Sequence, residues 1–264
     1  MIKFILFIFF LFYSFNSYGY EKIHVAVASN FIEPLNLIKK EFLKNNKTSF
    51  KISTGSTAKL FAQILNKAPI DIFLSADRLT IQKIPDNKKI KVSKFTYAIG
   101  SLIIFSKTKI DNKIKFENIL LKRLSNKIVI ANPKFSPYGR ASKQVLESLG
   151  MLSLFENKII LASNINQVSS FIYSGNVDLG IISNSDKLKL KKYELGYFKE
   201  IPQNLYTQIK QDAILLKNSN VSQATLDVDF LYEAISEVAP PVTDKPITDE
   251  TGKVISVDGG KFSE

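Results

Sequence analysis

Residues 23–42 read IHVAVASNFIEPLNLIKKEF, a short β-prone run followed at once by a helical repeat. Five of the first six residues are small or β-branched, the exception being His24, and the run suits a buried strand. The apolar residues that recur after them at helical spacing are Phe31, Leu35, Ile38, Phe42 and Leu43. Pro34 falls in the first turn of this helix, where its missing N–H does little harm. The stretch therefore predicts a strand, a short connection and a helix, the basic unit of an α/β fold.

The same alternation continues along the chain. Strand-like runs lie at 49–53, 70–74, 127–131, 159–162 and 179–182, and helix-like runs at 59–65, 141–149, 168–173 and 224–235. Two longer apolar runs, 95–105 and 208–216, could cross from one group of elements to another. We therefore expect an α/β protein of two lobes, each a mixed, mostly parallel sheet flanked by helices, joined by two crossing strands. The expected limits are 20–98 with 209–238 for lobe 1, 99–208 for lobe 2, and 239–264 for an atypical tail.

The first nineteen residues differ from the rest of the chain. Lys3 precedes a short apolar run at 4–13, and small residues follow at Ser17 and Gly19. This pattern is typical of a cleaved secretory signal peptide, because the apolar run is too short to span a bilayer. The chain has no cysteine, so we expect neither disulfides nor a thiol for lipid attachment. These features predict a protein exported to a bacterial periplasm.

The formal net charge of +12 comes mainly from lysines scattered in ones and twos. We interpret this charge as a solvated surface, and we expect no nucleic-acid partner, because the chain has no arginine-rich arm or long basic run. A positive surface can still attract a dianion at low salt. The lack of cysteine and the single histidine, His24, argue against most transition-metal chemistry, and we expect no cofactor.

Three junctions between a strand and a helix carry small and hydroxyl residues where the helix is expected to begin. These junctions are 28–30, 53–58 and 132–139. A helix N-terminus leaves about four backbone N–H groups unpaired and carries roughly half a positive charge. Several such ends that converge can bind an anion without any lysine or arginine. Ser, Thr and Asn at these places are also ordinary helix caps, so the pattern allows both an oxyanion site and plain capping.

Longer motifs surround these junctions. They read VAVASNFIEPL at 25–35, GSTAKLFAQI at 55–64 and APIDIFLSAD at 68–77, with weaker matches at 132–139, 164–167 and 175–180. Together they resemble the periplasmic molybdate-binding proteins of ABC transporters over roughly residues 22–235. The resemblance implies a two-lobed periplasmic binding protein fold of type II, with molybdate or tungstate held between the lobes. It also implies a monomer that delivers this ligand to the membrane permease of an ABC transporter.

The resemblance also implies a set of ligand-binding residues. Lobe 1 would supply hydroxyl and N–H donors, and lobe 2 would supply backbone N–H donors, with no direct bond from the protein to the metal. Where family members often carry a tyrosine hydroxyl, this chain has Ser183. We interpret Asp71 and Asp77 as structural, because a carboxylate beside the site would repel a dianion. The implied ligand-binding residues are Ser29, Asn30, Ser56, Thr57, Tyr138, Ile165 and Ser183, of which Ser29, Thr57, Tyr138 and Ile165 would hold the molybdate oxyanion.

Two alternatives of different kinds remain at this point. A binding protein for sulfate, phosphate or another oxyanion would use the same donors, since the sequence does not determine the size of the cavity. A serine-dependent hydrolase would need a base near its nucleophile. His24 lies within the first strand, and the chain has no Gly-x-Ser-x-Gly motif. We therefore predict a binding protein and not an enzyme.

Overall fold

The computed structural model describes residues 22–45, 49–111, 113–187 and 196–216. The predicted signal peptide at 1–19, the predicted helix at 224–235 and the tail at 239–264 lie outside these residues. The ten strands are β1 (Lys22–Ala28), β2 (Ser49–Gly55), β3 (Ile72–Leu74), β4 (Lys89–Gly100), β5 (Leu102–Ser106), β6 (Ile128–Ala131), β7 (Ile159–Ala162), β8 (Leu179–Ser183), β9 (Tyr197–Glu200) and β10 (Ile209–Leu216).

Seven α-helices alternate with these strands in the described residues. They are α1 (Ile32–Asn45), α2 (Thr57–Leu65), α3 (Arg78–Gln82), α4 (Phe116–Leu121), α5 (Pro137–Ser148), α6 (Leu152–Phe155) and α7 (Ile165–Tyr173). Short 3-10 turns occupy Ser29–Phe31, Asp86–Lys88, Glu156–Lys158, Asn184–Asp186 and Gln203–Leu205. The predicted alternation of strands and helices is confirmed.

The strands form two five-stranded sheets with the same plan. The first has the order β2-β1-β3-β10-β4, and the second has the order β7-β6-β8-β5-β9. In the first sheet β1 runs parallel to β2 and β3, whereas β10 runs antiparallel to β3 and β4. In the second sheet β6 runs parallel to β7 and β8, whereas β5 runs antiparallel to β8 and β9. The two-lobed α/β fold is confirmed, with pairings evenly mixed in direction where we expected mostly parallel ones.

The chain passes between the two sheets twice within the described residues. β4 ends at Gly100 in the first sheet and β5 begins at Leu102 in the second, so the apolar run 95–105 does cross between lobes. The return takes place between β9 and β10, and the run predicted as the second crossing, 208–216, is almost entirely β10 of the first sheet. The lobe boundaries that we predict after residues 98 and 208 stay a prediction.

Helices cover both faces of the first sheet, because the side chains of a strand alternate between its faces. Ile23, Val25 and Val27 of β1 pack with α1, and Ala26 packs on the opposite face with Leu60 of α2. The predicted apolar face of α1 is buried except for Leu43, which is 37% exposed. A separate core fills the second lobe, and it takes in three residues of the first lobe, Ala28, Ala76 and Ile209. The lobes are therefore packed against each other.

Helix α5 begins four residues earlier than the predicted start at 141. Ser136 is its N-cap and accepts a hydrogen bond from the Gly139 N–H at 3.4 Å, and Pro137 occupies the first helical position. A proline is well suited there because its fixed φ matches the helix and its missing N–H would be unpaired anyway. The consequence is that Tyr138 lies in the first turn of the helix, where backbone N–H groups have no partner within the helix.

Candidate functional site

The predicted ligand-binding residues lie at the carboxyl ends of strands in both sheets. Ser29 and Asn30 follow β1, and Ser56 and Thr57 follow β2, its parallel neighbour. In the second lobe Tyr138 lies in α5 after β6, Ile165 begins α7 after β7, and Ser183 ends β8. The carboxyl ends of parallel strands meet at one edge of a sheet, so each lobe gathers its own residues at one edge.

These two edges are in direct contact. The Asn30 side-chain amide donates to the Tyr138 hydroxyl at 3.2 Å, and the Ser185 hydroxyl donates to the Asn30 carbonyl at 2.9 Å. The Ala58 N–H donates across the same cleft to the Phe135 carbonyl at 3.2 Å. The structure therefore brings Asn30 of the first lobe together with Tyr138 of the second.

Ser56 has a buried side-chain hydroxyl in the cleft that makes no hydrogen bond to the described residues. It is the N-cap of α2, yet its hydroxyl makes no capping hydrogen bond. The residue is 3% exposed, and its Oγ has no hydrogen-bond partner among the described residues. A buried hydroxyl without a partner costs about 1–3 kcal/mol, so one that persists calls for an explanation such as a ligand. Its neighbour Thr57 is engaged, since its Oγ1 accepts the Ala76 N–H at 3.3 Å.

Two helices of the second lobe direct their first turns toward this cleft. α7 packs against the turn Ser29–Phe31, and its N-cap Asn164 accepts the Gln167 N–H at 3.0 Å. No hydrogen bond within the described chain occupies the backbone N–H of Tyr138 or Ile165. Together with the unpartnered Ser56 hydroxyl, these groups form a set of uncharged donors drawn from both lobes.

The Ser183 hydroxyl is engaged within the second lobe. It lies 2.8 Å from the Ser185 hydroxyl and donates to the Asp186 carboxylate at 3.5 Å. Asp186 also accepts the Ser169 hydroxyl at 2.6 Å, and Ser183 itself is fully buried. In this arrangement the hydroxyl that reaches the opposite lobe belongs to Ser185, which the sequence reasoning did not select. A ligand role for Ser183 stays a prediction.

The carboxylates near the cleft have structural partners, as predicted for Asp71 and Asp77. Asp71 accepts the His24 backbone N–H at 2.8 Å, and Asp77 caps α3 by accepting the Thr80 N–H at 2.7 Å. Asp77 also forms an ion pair with Arg140 of α5, which joins the two lobes. The His24 ring lies between the Pro69 carbonyl and the Ser53 hydroxyl, at 2.6 and 2.8 Å, and is used within the first lobe.

Burial keeps the Tyr138 hydroxyl protonated. Desolvation raises the pKa of Tyr138 well above its ordinary value, and the nearby charge of Asp186 raises it further. Its hydroxyl accepts two amide donors, from Asn30 at 3.2 Å and from Gln211 at 3.3 Å. In the described ranges, no cluster of three or more histidine, aspartate or glutamate side chains is arranged to hold a metal ion.

Sequence reasoning missed Gln211 and Ser185, which contact Asn30 of the candidate site, and Arg140, which pairs with Asp77 across the lobes. Gln211 interrupts an apolar strand, and arginine is rare in a chain that otherwise uses lysine, occurring only at 78, 123 and 140. Arginine forms geometrically defined pairs with carboxylates better than lysine does. The rarity of arginine in this chain therefore indicates that Arg140 has a specific partner. No local pattern distinguishes Ser185 from its neighbouring polar residues.

Two lobes joined by two passages, with neutral donors from both lobes at one cleft, define a solute-binding protein. A family model described as bacterial extracellular solute-binding protein matches residues 23–236, and the chain belongs to that family. None of the helices in the described part of the chain has the length and apolar character needed to cross a membrane.

Relatives within this family are named as molybdate-binding proteins. The molybdate-binding protein ModA of Azotobacter vinelandii is 35% identical over 211 residues, covering 78% of this chain and 83% of the relative. ModA of Rhodobacter capsulatus is 33% identical over 214 residues, covering 80% and 82%. The solved periplasmic molybdate-binding protein of Azotobacter vinelandii superposes with a TM-score of 0.71 at 29% identity, covering 85% of this chain and all of that one. These relatives are binding proteins and not enzymes, which agrees with the prediction.

Proposed function

We propose that this protein binds molybdate or tungstate in the cleft between its lobes and delivers it to the membrane permease of an ABC transporter. The observation that carries the proposal is the buried Ser56 hydroxyl, which has no partner among the described residues. It lies at a cleft that receives the N-terminus of α2 from the first lobe and those of α5 and α7 from the second. The names of the relatives at 33–35% identity support the choice of anion. The protein would act in the periplasm as a monomer and without a cofactor.

Neutral donors suit a tetrahedral dianion. Each hydrogen bond to a charged group contributes about 1.5–3 kcal/mol, and the helix N-termini add a favourable dipole. Five to seven such bonds, offset by the entropy of binding, could reach the roughly −12 kcal/mol of nanomolar affinity. Because the ligand meets no lysine or arginine in this set, its binding would depend on geometry more than on ionic strength.

The donors that we propose are Ser29, Ser56 and Thr57 from the first lobe and the backbone N–H groups of Tyr138 and Ile165 from the second. Asn30 would contribute its backbone, since its side-chain amide already donates to Tyr138 and to Gln211 at 2.7 Å. The metal atom would have no protein ligand, because every contact is made through the oxygens of the anion.

The test is thermal unfolding of the protein with molybdate, tungstate, sulfate or phosphate at matched ionic strength. A ligand at about 100 times its Kd adds roughly 2.7 kcal/mol to the free energy of unfolding, which is about 5–10 °C in a protein of this size. We expect this rise with molybdate and tungstate and no rise with sodium chloride. A rise with sulfate or phosphate alone would replace the proposed anion, and no rise with any of the four would refute the oxyanion site.

The ion pair between Asp77 and Arg140 is expected to favour the closed form. Because it joins the two lobes, opening of the cleft would separate its two side chains. Arg140→Gln should raise the Kd for molybdate by up to about fivefold at low salt, and less at high salt, as for other partly exposed pairs. Asp77→Asn should raise the Kd to a similar extent, because asparagine removes the charge but keeps the cap of α3.

Titration calorimetry at two salt concentrations measures the affinity of both variants. Arg123→Gln is the control, since Arg123 bonds Lys109 and Thr108 within the second lobe. Equal affinity in all variants would show that the pair does not act in closure.

A further inference from the structure

Gln211 lies on β10, two residues after the chain has returned to the first sheet. It is 3% exposed, and both ends of its side-chain amide are used. Its Oε1 accepts the Asn30 amide at 2.7 Å and the Tyr97 hydroxyl at 3.2 Å. Its Nε2 donates to the Tyr138 hydroxyl at 3.3 Å. One side chain therefore contacts a candidate site residue from each lobe.

This network lies beside both passages between the lobes. Gln211 pairs with Ala98 on β4, and Ile209 pairs with Gly100, the last residue before the first passage. The Tyr138 ring packs on Gly100 so closely that a Cβ atom there would lie 2.9 Å from the ring Cζ. The Tyr138 hydroxyl can thus reach Gln211 and Asn30 only when the second lobe stands in its present position relative to the first.

The same network determines where the Asn30 backbone lies. Asn30 is held by Gln211 from its own lobe, by Tyr138 from the other lobe, and by the Ser185 hydroxyl at its carbonyl. Each amide hydrogen of Asn30 has an acceptor, so its side chain is occupied in positioning. A loss of Gln211 would leave Asn30 and Tyr138 joined by a single bond of 3.2 Å.

We propose that Gln211 is a positioning residue for ligand binding, which aligns the donors of the two lobes when the cleft closes. This inference rests on the proposed oxyanion function. Gln211 does not need to touch the anion, since it acts through Asn30 and through Tyr138. It makes the two halves of the site reach their binding geometry together, because its two amide ends are satisfied only when both lobes are in place.

The experiment replaces Gln211 with leucine and measures molybdate binding by calorimetry and by stopped-flow kinetics. We expect the Kd for molybdate to rise about tenfold. The rise should come from faster dissociation, because Gln211 aligns the donors of the two lobes in the closed complex. The melting temperature without ligand should fall, because Asn30 and Tyr97 lose a buried partner. The ligand-dependent rise in melting temperature should shrink in addition. A purely structural glutamine would instead lower the melting temperature with and without ligand by the same amount. Gln63→Leu, at an exposed position of α2, is the matched control.

Tyr138→Phe provides a second measurement that does not depend on the leucine variant being well folded. It keeps the backbone N–H of residue 138 and removes the hydroxyl that Gln211 contacts. We expect this variant to bind molybdate more weakly, and the double variant to bind no more weakly than the worse single variant. Fully multiplicative losses, or wild-type affinity in Gln211→Leu, would overturn the inference while leaving the oxyanion function intact. Failure of the unaltered protein to bind any oxyanion would refute both.

Discussion

Gly139→Ala is expected to lower the free energy of unfolding by about 3 kcal/mol or more, a fall in melting temperature of roughly 6–12 °C. Gly139 lies in the first turn of α5, where the helix begins against the end of β6. A Cβ atom at this position would lie 2.8 Å from the carbonyl carbons of Ala131 and Asn132, and closer still to the Ala131 oxygen. All three atoms belong to the backbone.

The size of this effect follows from what would have to move. A flexible side chain could rotate away from the new methyl group, but the backbone of β6 is held by its neighbours β7 and β8 in the second sheet. The helix would have to shift away from the sheet, and the close packing of Tyr138 and Val145 in the second core would be lost. The same shift would displace the Tyr138 N–H, so molybdate binding should weaken too.

Thermal unfolding without ligand measures the effect, and Gly55→Ala is its control. Gly55 ends β2 beside Ser56, and a Cβ atom there would meet Leu60 at 3.9 Å, an ordinary contact distance. We expect that variant to melt within a few degrees of the unaltered protein. Equal melting temperatures for both alanine variants would show that α5 does not need its close approach to β6.

Much of the fold could be predicted because its signals are local. The alternation of apolar residues in β1 and their helical spacing in α1 reflect burial on one face, which a stretch of twenty residues displays. Helix ends were predicted less well, since α5 begins at Pro137 and not at 141. The true start is set by Ser136 and Pro137, two residues that suit a loop as well as a helix cap.

The contacts between the lobes could not be predicted in the same way. Asn30 and Tyr138 are 108 residues apart, and Asp77 and Arg140 are 63 apart. Such pairs depend on how two separately folded sheets are placed, and no periodicity within either sheet encodes that placement. The motifs indicated which residues stand at the strand ends, whereas the structure shows which of their side chains are already engaged. Thr57 and Ser183 have partners, and the Ser56 hydroxyl has none among the described residues.

We therefore expect Ser56→Ala to keep or raise the stability of the ligand-free protein and to lower its affinity for molybdate. Without ligand the variant should be as stable as the unaltered protein or more stable by up to about 1 kcal/mol, because it removes a buried hydroxyl that lacks a partner. With molybdate it should lose about 10–100-fold in affinity, since one hydrogen bond to a charged ligand contributes about 1.5–3 kcal/mol. Chemical denaturation of the ligand-free protein measures the first quantity, and titration calorimetry the second.

Ser106→Ala is the matched control, because Ser106 is also a buried serine but has partners. Its hydroxyl lies 3.0 Å from that of Thr108 and accepts the Thr108 N–H at 3.2 Å, at the end of β5 away from the cleft. That variant should lose about 1 kcal/mol of stability and keep its affinity for molybdate. If Ser56→Ala behaved in the same way, its hydroxyl would be a structural group and the ligand would have to be held by the other proposed donors. A stable variant with weakened binding would instead identify Ser56 as a donor whose partner is the anion.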